Sequence, residues 1–118
     1  MSRKSLIELE LERIKAWRKY YKNLEYYLKE MLNTARKYDE KARVILFGSY
    51  VRGDMKPDSD IDILIVTDIA GNVRDRLKLR LEIASKIGRD TPYEIHIVTP
   101  NEYRNWYKRF IDEYREVT

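Results

Sequence analysis

The run Asp60-Ile61-Asp62-Ile63-Leu64-Ile65-Val66 constrains this chain more than any other segment. Side chains alternate across a strand, so Ile61, Ile63 and Ile65 share one face, while Asp60 and Asp62 share the other, ~7 Å apart along the backbone. The isoleucine face needs another layer to bury it. Aspartate is a poor strand former, and two like charges at one end of an apolar strand repel unless a cation sits between them. A hard divalent ion with oxygen ligands meets that need, and Mg²⁺ suits phosphate chemistry.

The rest of the chain supplies the covering layers. Ser5-Leu6-Ile7-Glu8 reads as a capping box that opens one helical run to about Asp39, with no Gly or Pro inside it. Arg43–Phe47 is a short apolar strand closed by Gly48-Ser49, and Tyr50–Ser59, with Gly53 and Pro57, is a loop with room for one helical turn. Asp60–Val66 is the second strand, followed by a turn at Gly71-Asn72. A helix is expected over Val73–Ile87, ended by Gly88, then a third strand at Tyr93–Val98. Thr99-Pro100-Asn101-Glu102 opens a last helix, with a capping threonine, proline in the first turn and glutamate three residues on. The order α-β-β-α-β-α predicts an α/β (α+β) fold: a small mixed sheet of three or four strands packed with helices. Residues 1–39 form a long helix for packing or association and 40–118 the core, the two together making a single domain.

Composition narrows the function classes. The chain has 118 residues, 43% of them apolar, enough for one hydrophobic core. Its formal charge of +4 would attract nucleotides or RNA, yet is small enough to be a solvated surface and does not indicate nucleic acid as a partner. With no cysteine there is no disulfide, thiol nucleophile or thiolate zinc site. No apolar stretch approaches the ~20 residues that span a bilayer, and Met1–Ser5 leads into no signal-peptide core, so a cytoplasmic protein without membrane contact is expected.

The segment from Gly48 to Asp62 carries the chemistry. Gly48 follows a buried strand and lets backbone approach a ligand closely. Ser49 can donate its hydroxyl and N–H to a phosphate oxygen, and free N–H groups of a helical turn after it would add to that anion site. Arg52, one turn on, can meet phosphate or brace the loop through Asp54 or Asp58. Asp54 and Asp58 themselves read as loop anchors. A glycine-serine pair alone is usually a turn, and an Asp-x-Asp alone is often a cap; bracketed together by two apolar strands they form a consistent triphosphate site.

Gly48-Ser49, ten residues, then Asp60-x-Asp62 resembles the signature of the DNA polymerase β-like nucleotidyltransferase superfamily. With Arg52-Gly53 and Ser59-Asp60-Ile61-Asp62-Ile63-Leu64-Ile65-Val66, the string looks like its minimal nucleotidyltransferase branch. The resemblance is specific over Val44–Val66, weaker through Val98, and does not reach the first helix. It implies a polymerase β-like fold in which Asp60 and Asp62 bind two Mg²⁺ ions, while Gly48 and Ser49 hold the triphosphate of ATP or another nucleoside triphosphate. A third carboxylate normally completes such a site, and Glu94 is the candidate, as the only acid within the apolar strand Tyr93–Val98. In the family that residue is more usually aspartate and often serves as base. His96 shares Glu94's face by alternation and is expected as a packed or rim residue rather than a ligand.

Ile14, Trp17, Tyr21, Leu24, Leu28, Met31 and Ala35 recur in steps of three and four along the first helix, a heptad seam broadened by Tyr20, Tyr26 and Tyr27. A helix approaching ~50 Å exceeds what so small a core covers, so the seam predicts a homodimer or a hetero-complex. Trp106, Tyr107 and Phe110 read as core or interface residues. Minimal nucleotidyltransferases of the kind resembled pair with small helical HEPN proteins as antitoxin and toxin, which implies transfer of AMP onto the partner. The alternatives are a weakly catalytic subunit neutralising the partner by contact, or transfer to a small molecule, for which the chain has no second domain to build a pocket.

Overall fold

The computed structural model describes residues 4–54, 59–111 and 113–118. Two helices come first, α1 (Leu6–Lys22) and α2 (Leu24–Tyr38), then strand β1 (Arg43–Phe47), a single turn α3 (Ser49–Arg52) and strand β2 (Ile61–Val66). A 3₁₀ turn (Asp68–Gly71) leads to α4 (Val73–Ile87) and β3 (Tyr93–Val98). The chain ends with α5 (Pro100–Glu102), a π-helical segment (Tyr103–Tyr107), α6 (Lys108–Phe110) and β4 (Tyr114–Glu116). The sheet order is β3-β2-β1-β4, with β2–β3 parallel and the other two pairings antiparallel. This is the mixed sheet with helices expected from the sequence, in its four-stranded form.

Each expected boundary has a physical cause. Ser5 caps α1 by accepting from the Glu8 N–H, Asn72 caps α4 through Asp75, and Thr99 with Glu102 closes a complete capping box. The first helix, expected as one run to Asp39, is in fact broken at Asn23. That residue's backbone N–H and Nδ2 both reach back to the Lys19 carbonyl, at 2.9 and 3.0 Å. An asparagine side chain competing for backbone partners ends a helix without Gly or Pro. β2 begins at Ile61, so Asp60 sits just ahead of the strand rather than within it.

The sheet is covered on both faces. On one side Val44, Leu46, Ile61, Ile63, Ile65 and Ile97 pack against Trp17, Leu28, Met31 and Ala35 of α1 and α2 and Leu79, Ile83 and Ile87 of α4. On the other, Ile45, Leu64, Val66 and Val98 meet Tyr103, with Phe47, Tyr107 and Ile111 at the margin. The C-terminal segment thus covers one end of the second face and leaves the end bearing Asp62 open.

The heptad seam is corrected by this packing. Trp17 is 4% exposed, Leu24 3%, and Leu28, Met31 and Ala35 are wholly buried within the chain's own core, so the seam needs no partner to cover it. Exposure begins upstream, at Leu6, Ile7, Leu9 and Leu11. Trp106 is exposed rather than core, while Tyr107 is half-buried against the smaller cluster. Among the described residues no helix is long and apolar enough to cross a membrane.

β4 had no alternating pattern to announce it. It is held to β1 by Val117, whose N–H donates to the Val44 carbonyl at 2.8 Å and whose side chain enters the core. Arg43 forks onto Glu116 at 2.9 and 2.7 Å.

Leu28→Ala should cost about 2–5 kcal/mol, the range for a wholly buried leucine, whereas Leu11→Gln should stay within about 0.5 kcal/mol. Urea unfolding at two protein concentrations checks both. A concentration-dependent midpoint for the wild type, lost in Leu28→Ala, would return the seam to an intermolecular role.

Candidate active site

Strand register builds the site. In the parallel β2–β3 pair, Asp62 lies beside Glu94 and Leu64 beside His96; in the antiparallel β1–β2 pair, Phe47 lies opposite Asp62. Phe47, Asp62, Glu94 and His96 therefore gather on the uncovered end of one sheet face. One ligand atom from each of Asp62, Glu94 and His96 falls within 4.8 Å of the others. Glu94 Oε1 and His96 Nε2 are 3.5 Å apart. The imidazole lies near the rings of Phe47 and Tyr107, with centroids 6.3 and 6.0 Å away.

Gly48 is fixed by the same neighbour. It leaves β1 with φ +82°, the left-handed region that glycine enters without strain, and a Cβ there would stand 2.2 Å from Asp62 Oδ2. The backbone approach expected at Gly48 is thus, first of all, an approach to the Asp62 carboxylate. From Gly48 the chain turns into α3, whose Arg52 N–H donates to the Gly48 carbonyl at 3.1 Å. Phe47, Gly48, Ser49, Arg52 and Asp62, with Ile111 and Glu113, line a cleft of about 230 Å³. A larger groove of about 370 Å³ between α4 and β3 has no carboxylate in its lining, so size alone does not locate the chemistry.

The candidates from sequence are only partly brought together. Asp62, Glu94, Gly48, Ser49 and Arg52 border the cleft or the cluster. Asp60 is exposed, stands outside the close group of three, and lines a separate recess with Glu10, Arg13, Ile14 and Trp17 of α1. Its charge still reaches Asp62. Arg52 touches Asp54 at 3.4 Å with both side chains exposed, the loop brace anticipated as one of its two roles. Asp58 lies outside the described residues. His96, expected at the rim, is part of the close group. Glu113 and Ile111 escaped sequence reasoning, because they follow a helical signal and reach the cleft only through the return of the chain to β4.

Electrostatics bear on what the cluster can hold. Burial, then the charge of Glu94 and a hydrogen bond with it, raises the Asp62 carboxyl above its ordinary value; His96 works in the opposite direction. Two carboxylates forced side by side, with a nitrogen donor next to them, fit a divalent cation, which would relieve that repulsion.

The family described as nucleotidyltransferase domain matches residues 28–117. A protein of Methanocaldococcus jannaschii provisionally named protein adenylyltransferase is 40% identical over 76 residues, 64% of this chain and 73% of that protein. A second from the same organism, with the same provisional name, is 51% identical over 49 residues, 40% of this chain and 49% of that protein. A crystal structure provisionally described as a nucleotidyltransferase superposes with a TM-score of 0.65 at 36% identity, covering 76% of this chain and 96% of the other.

Two predictions come from this geometry. Gly48→Ala should destabilise the fold by more than about 1 kcal/mol, through strain at positive φ together with the clash at Asp62; thermal melting reads it, and an unchanged melting temperature would remove the constraint. The raised Asp62 carboxyl means the folded protein holds this proton more tightly than the unfolded chain. Its contribution is therefore favourable at low pH and is lost as pH rises from the ordinary value through the raised one. In chelator, Asp62→Asn should match wild type near pH 4 and become the more stable of the two toward neutrality. Urea titrations across that range measure the gap, and a constant gap would contradict it.

Proposed function

From the premise that this chain belongs to the nucleotidyltransferase domain family and transfers a nucleoside monophosphate from a nucleoside triphosphate, we propose that it is a Mg²⁺-dependent adenylyltransferase acting on a protein acceptor. The observation that carries the reading is the juxtaposition of the Gly48-Ser49 turn with Asp62 across one strand pair, and of Asp62 with Glu94 across the next. The relatives provisionally named protein adenylyltransferases support AMP as the transferred group and protein as the acceptor.

In this mechanism the turn after β1 grips the triphosphate. The Ser49 hydroxyl and the N–H groups at the start of α3 take phosphate oxygens, and Arg52 on the cleft wall neutralises charge as pyrophosphate departs. Mg²⁺ held by Asp60, Asp62 and Glu94 would supply charge neutralisation on the triphosphate and a lowered pKa for the attacking hydroxyl. Glu94, about half exposed, accepts the proton of that hydroxyl. The acceptor oxygen then bonds to the α-phosphorus as the bond to pyrophosphate breaks. Positioning and charge stabilisation carry the rate, with no covalent enzyme intermediate.

A HEPN-type helical protein as acceptor, a cytoplasmic location and the treatment of residues 1–39 and 40–118 as one domain belong to the same proposal. A second reading is neutralisation of such a partner by contact alone. The exposed Leu6, Ile7, Leu9 and Leu11 at the start of α1 favour it, since they lie outside the chain's own core and outside residues 28–117.

ATP with Mg²⁺ should raise the melting temperature, because it binds only the folded state, and Asp62→Asn should abolish the Mg²⁺-dependent part. With labelled ATP and a coexpressed acceptor, Glu94→Gln should lower transfer by ~10²-fold or more with nucleotide binding retained. Transfer by Glu94→Gln at the wild-type rate would remove the base assignment, and complex formation without label on either protein would favour the contact reading.

A further inference from the structure

We infer that His96 is a direct metal ligand, so that the cation beside Asp62 and Glu94 sits in a mixed nitrogen and oxygen shell that prefers Mn²⁺ over Mg²⁺ more strongly than carboxylates alone would. This rests on the proposed reading of the site as a metal centre, and concerns which of this chain's own atoms complete it.

Three observations carry the inference. First, the imidazole belongs to the same close group as the two carboxylates, with a ligand atom from each within 4.8 Å of the others, whereas Asp60 does not. Second, the 3.5 Å between Glu94 Oε1 and His96 Nε2 is long for a charge-assisted hydrogen bond, which closes to ~2.7–2.9 Å. It matches the edge of a coordination polyhedron: two ligands each ~2.0–2.2 Å from a common ion stand roughly 3.0–3.5 Å apart. Third, the ring has Phe47 and Tyr107 as aromatic neighbours and sits on a strand whose register fixes its backbone beside Leu64. The Nε2 lies 3.5 Å from Glu94 on a ring with two aromatic neighbours and a fixed backbone register.

Donor chemistry sets the consequence. Mg²⁺ binds hard oxygen ligands and keeps its waters, whereas first-row divalent ions accept imidazole readily. One nitrogen in the shell therefore widens the gap between Mn²⁺ and Mg²⁺. Removing it should narrow that gap rather than weaken all ions equally.

The chain contains one histidine, so any imidazole nitrogen on a bound ion must come from His96, provided the protein carries no histidine tag. Wild type, His96→Gln and Asp62→Asn are compared by titration calorimetry with Mn²⁺ alone and with Mg²⁺ alone, and by pulsed electron spin-echo spectroscopy of the Mn²⁺ form. Wild type should show ¹⁴N modulation. His96→Gln should lose it, with Mn²⁺ affinity reduced about tenfold or more and Mg²⁺ affinity reduced much less. Unchanged melting of His96→Gln in chelator establishes that the fold is intact; if that variant melts early, the wild-type ¹⁴N spectrum alone decides. Mn²⁺ binding that Asp62→Asn abolishes, but that shows no ¹⁴N modulation in wild type, would overturn the assignment of His96 and leave the carboxylate site standing. Mn²⁺ binding that Asp62→Asn does not weaken, or no binding in any form, would overturn both.

Discussion

The parallel pairing of β2 with β3 is the contact on which the site depends. It sets Asp62 directly beside Glu94, an arrangement that two carboxylates resist. Two unit charges about 5 Å apart repel by roughly 3 kcal/mol at an effective dielectric of 20, and by less where water screens them. On the reverse side of the same strands Ile61, Ile63, Ile65 and Ile97 are buried, each worth roughly 1.5–3 kcal/mol. The core wins, and the carboxylates are held together by side chains on the opposite face of the sheet. That division of labour lets a small sheet carry concentrated negative charge at one end.

The helices finish the arrangement by what they cover and what they leave bare. α1, α2 and α4 cover one face of the sheet. The C-terminal segment, from Tyr103 to Ile111, closes only part of the other. Charge and aromatic rings meet at the boundary, where Phe47 and Tyr107 neighbour His96. The first helix is tied to the site's edge by the Tyr21 hydroxyl, which donates to the Ser59 carbonyl at 2.8 Å, one residue before Asp60. Asp60 lines a recess shared with α1 and stands outside the close group of Asp62, Glu94 and His96, though its charge still reaches Asp62.

The glycine after β1 binds the two halves of the reading. Its missing side chain is the space into which the Asp62 carboxylate fits, and its positive φ starts the turn that lines the cleft. One residue therefore sets both the proposed phosphate grip and the proximity of that grip to the proposed metal ligands. A family resemblance written as a glycine-serine pair and two spaced aspartates has, in this fold, a steric reason for the first of its letters.

Local patterns settled much in advance. Three strands, the α4 helix and three caps were legible because alternation, apolar periodicity and capping chemistry are properties of neighbouring residues. The strand face carrying Asp62 and the face carrying Glu94 and His96 followed from the same two-residue period. What the sequence could not show were outcomes of long-range contact. The helix break at Asn23 is the exception, a local event in which the side-chain amide bonds the Lys19 carbonyl four residues back, and nothing in the apolar periodicity announces it. The seam of Trp17, Leu24 and Leu28 looked like an interface until α4 and the sheet were present to bury it. β4 exists because Val117 and Glu116 find Val44 and Arg43 across more than seventy residues. The closeness of His96 to Asp62 is likewise a matter of which strands pair and in what register, and only the tertiary structure decides that, since periodicity says which way a side chain points but not what it meets.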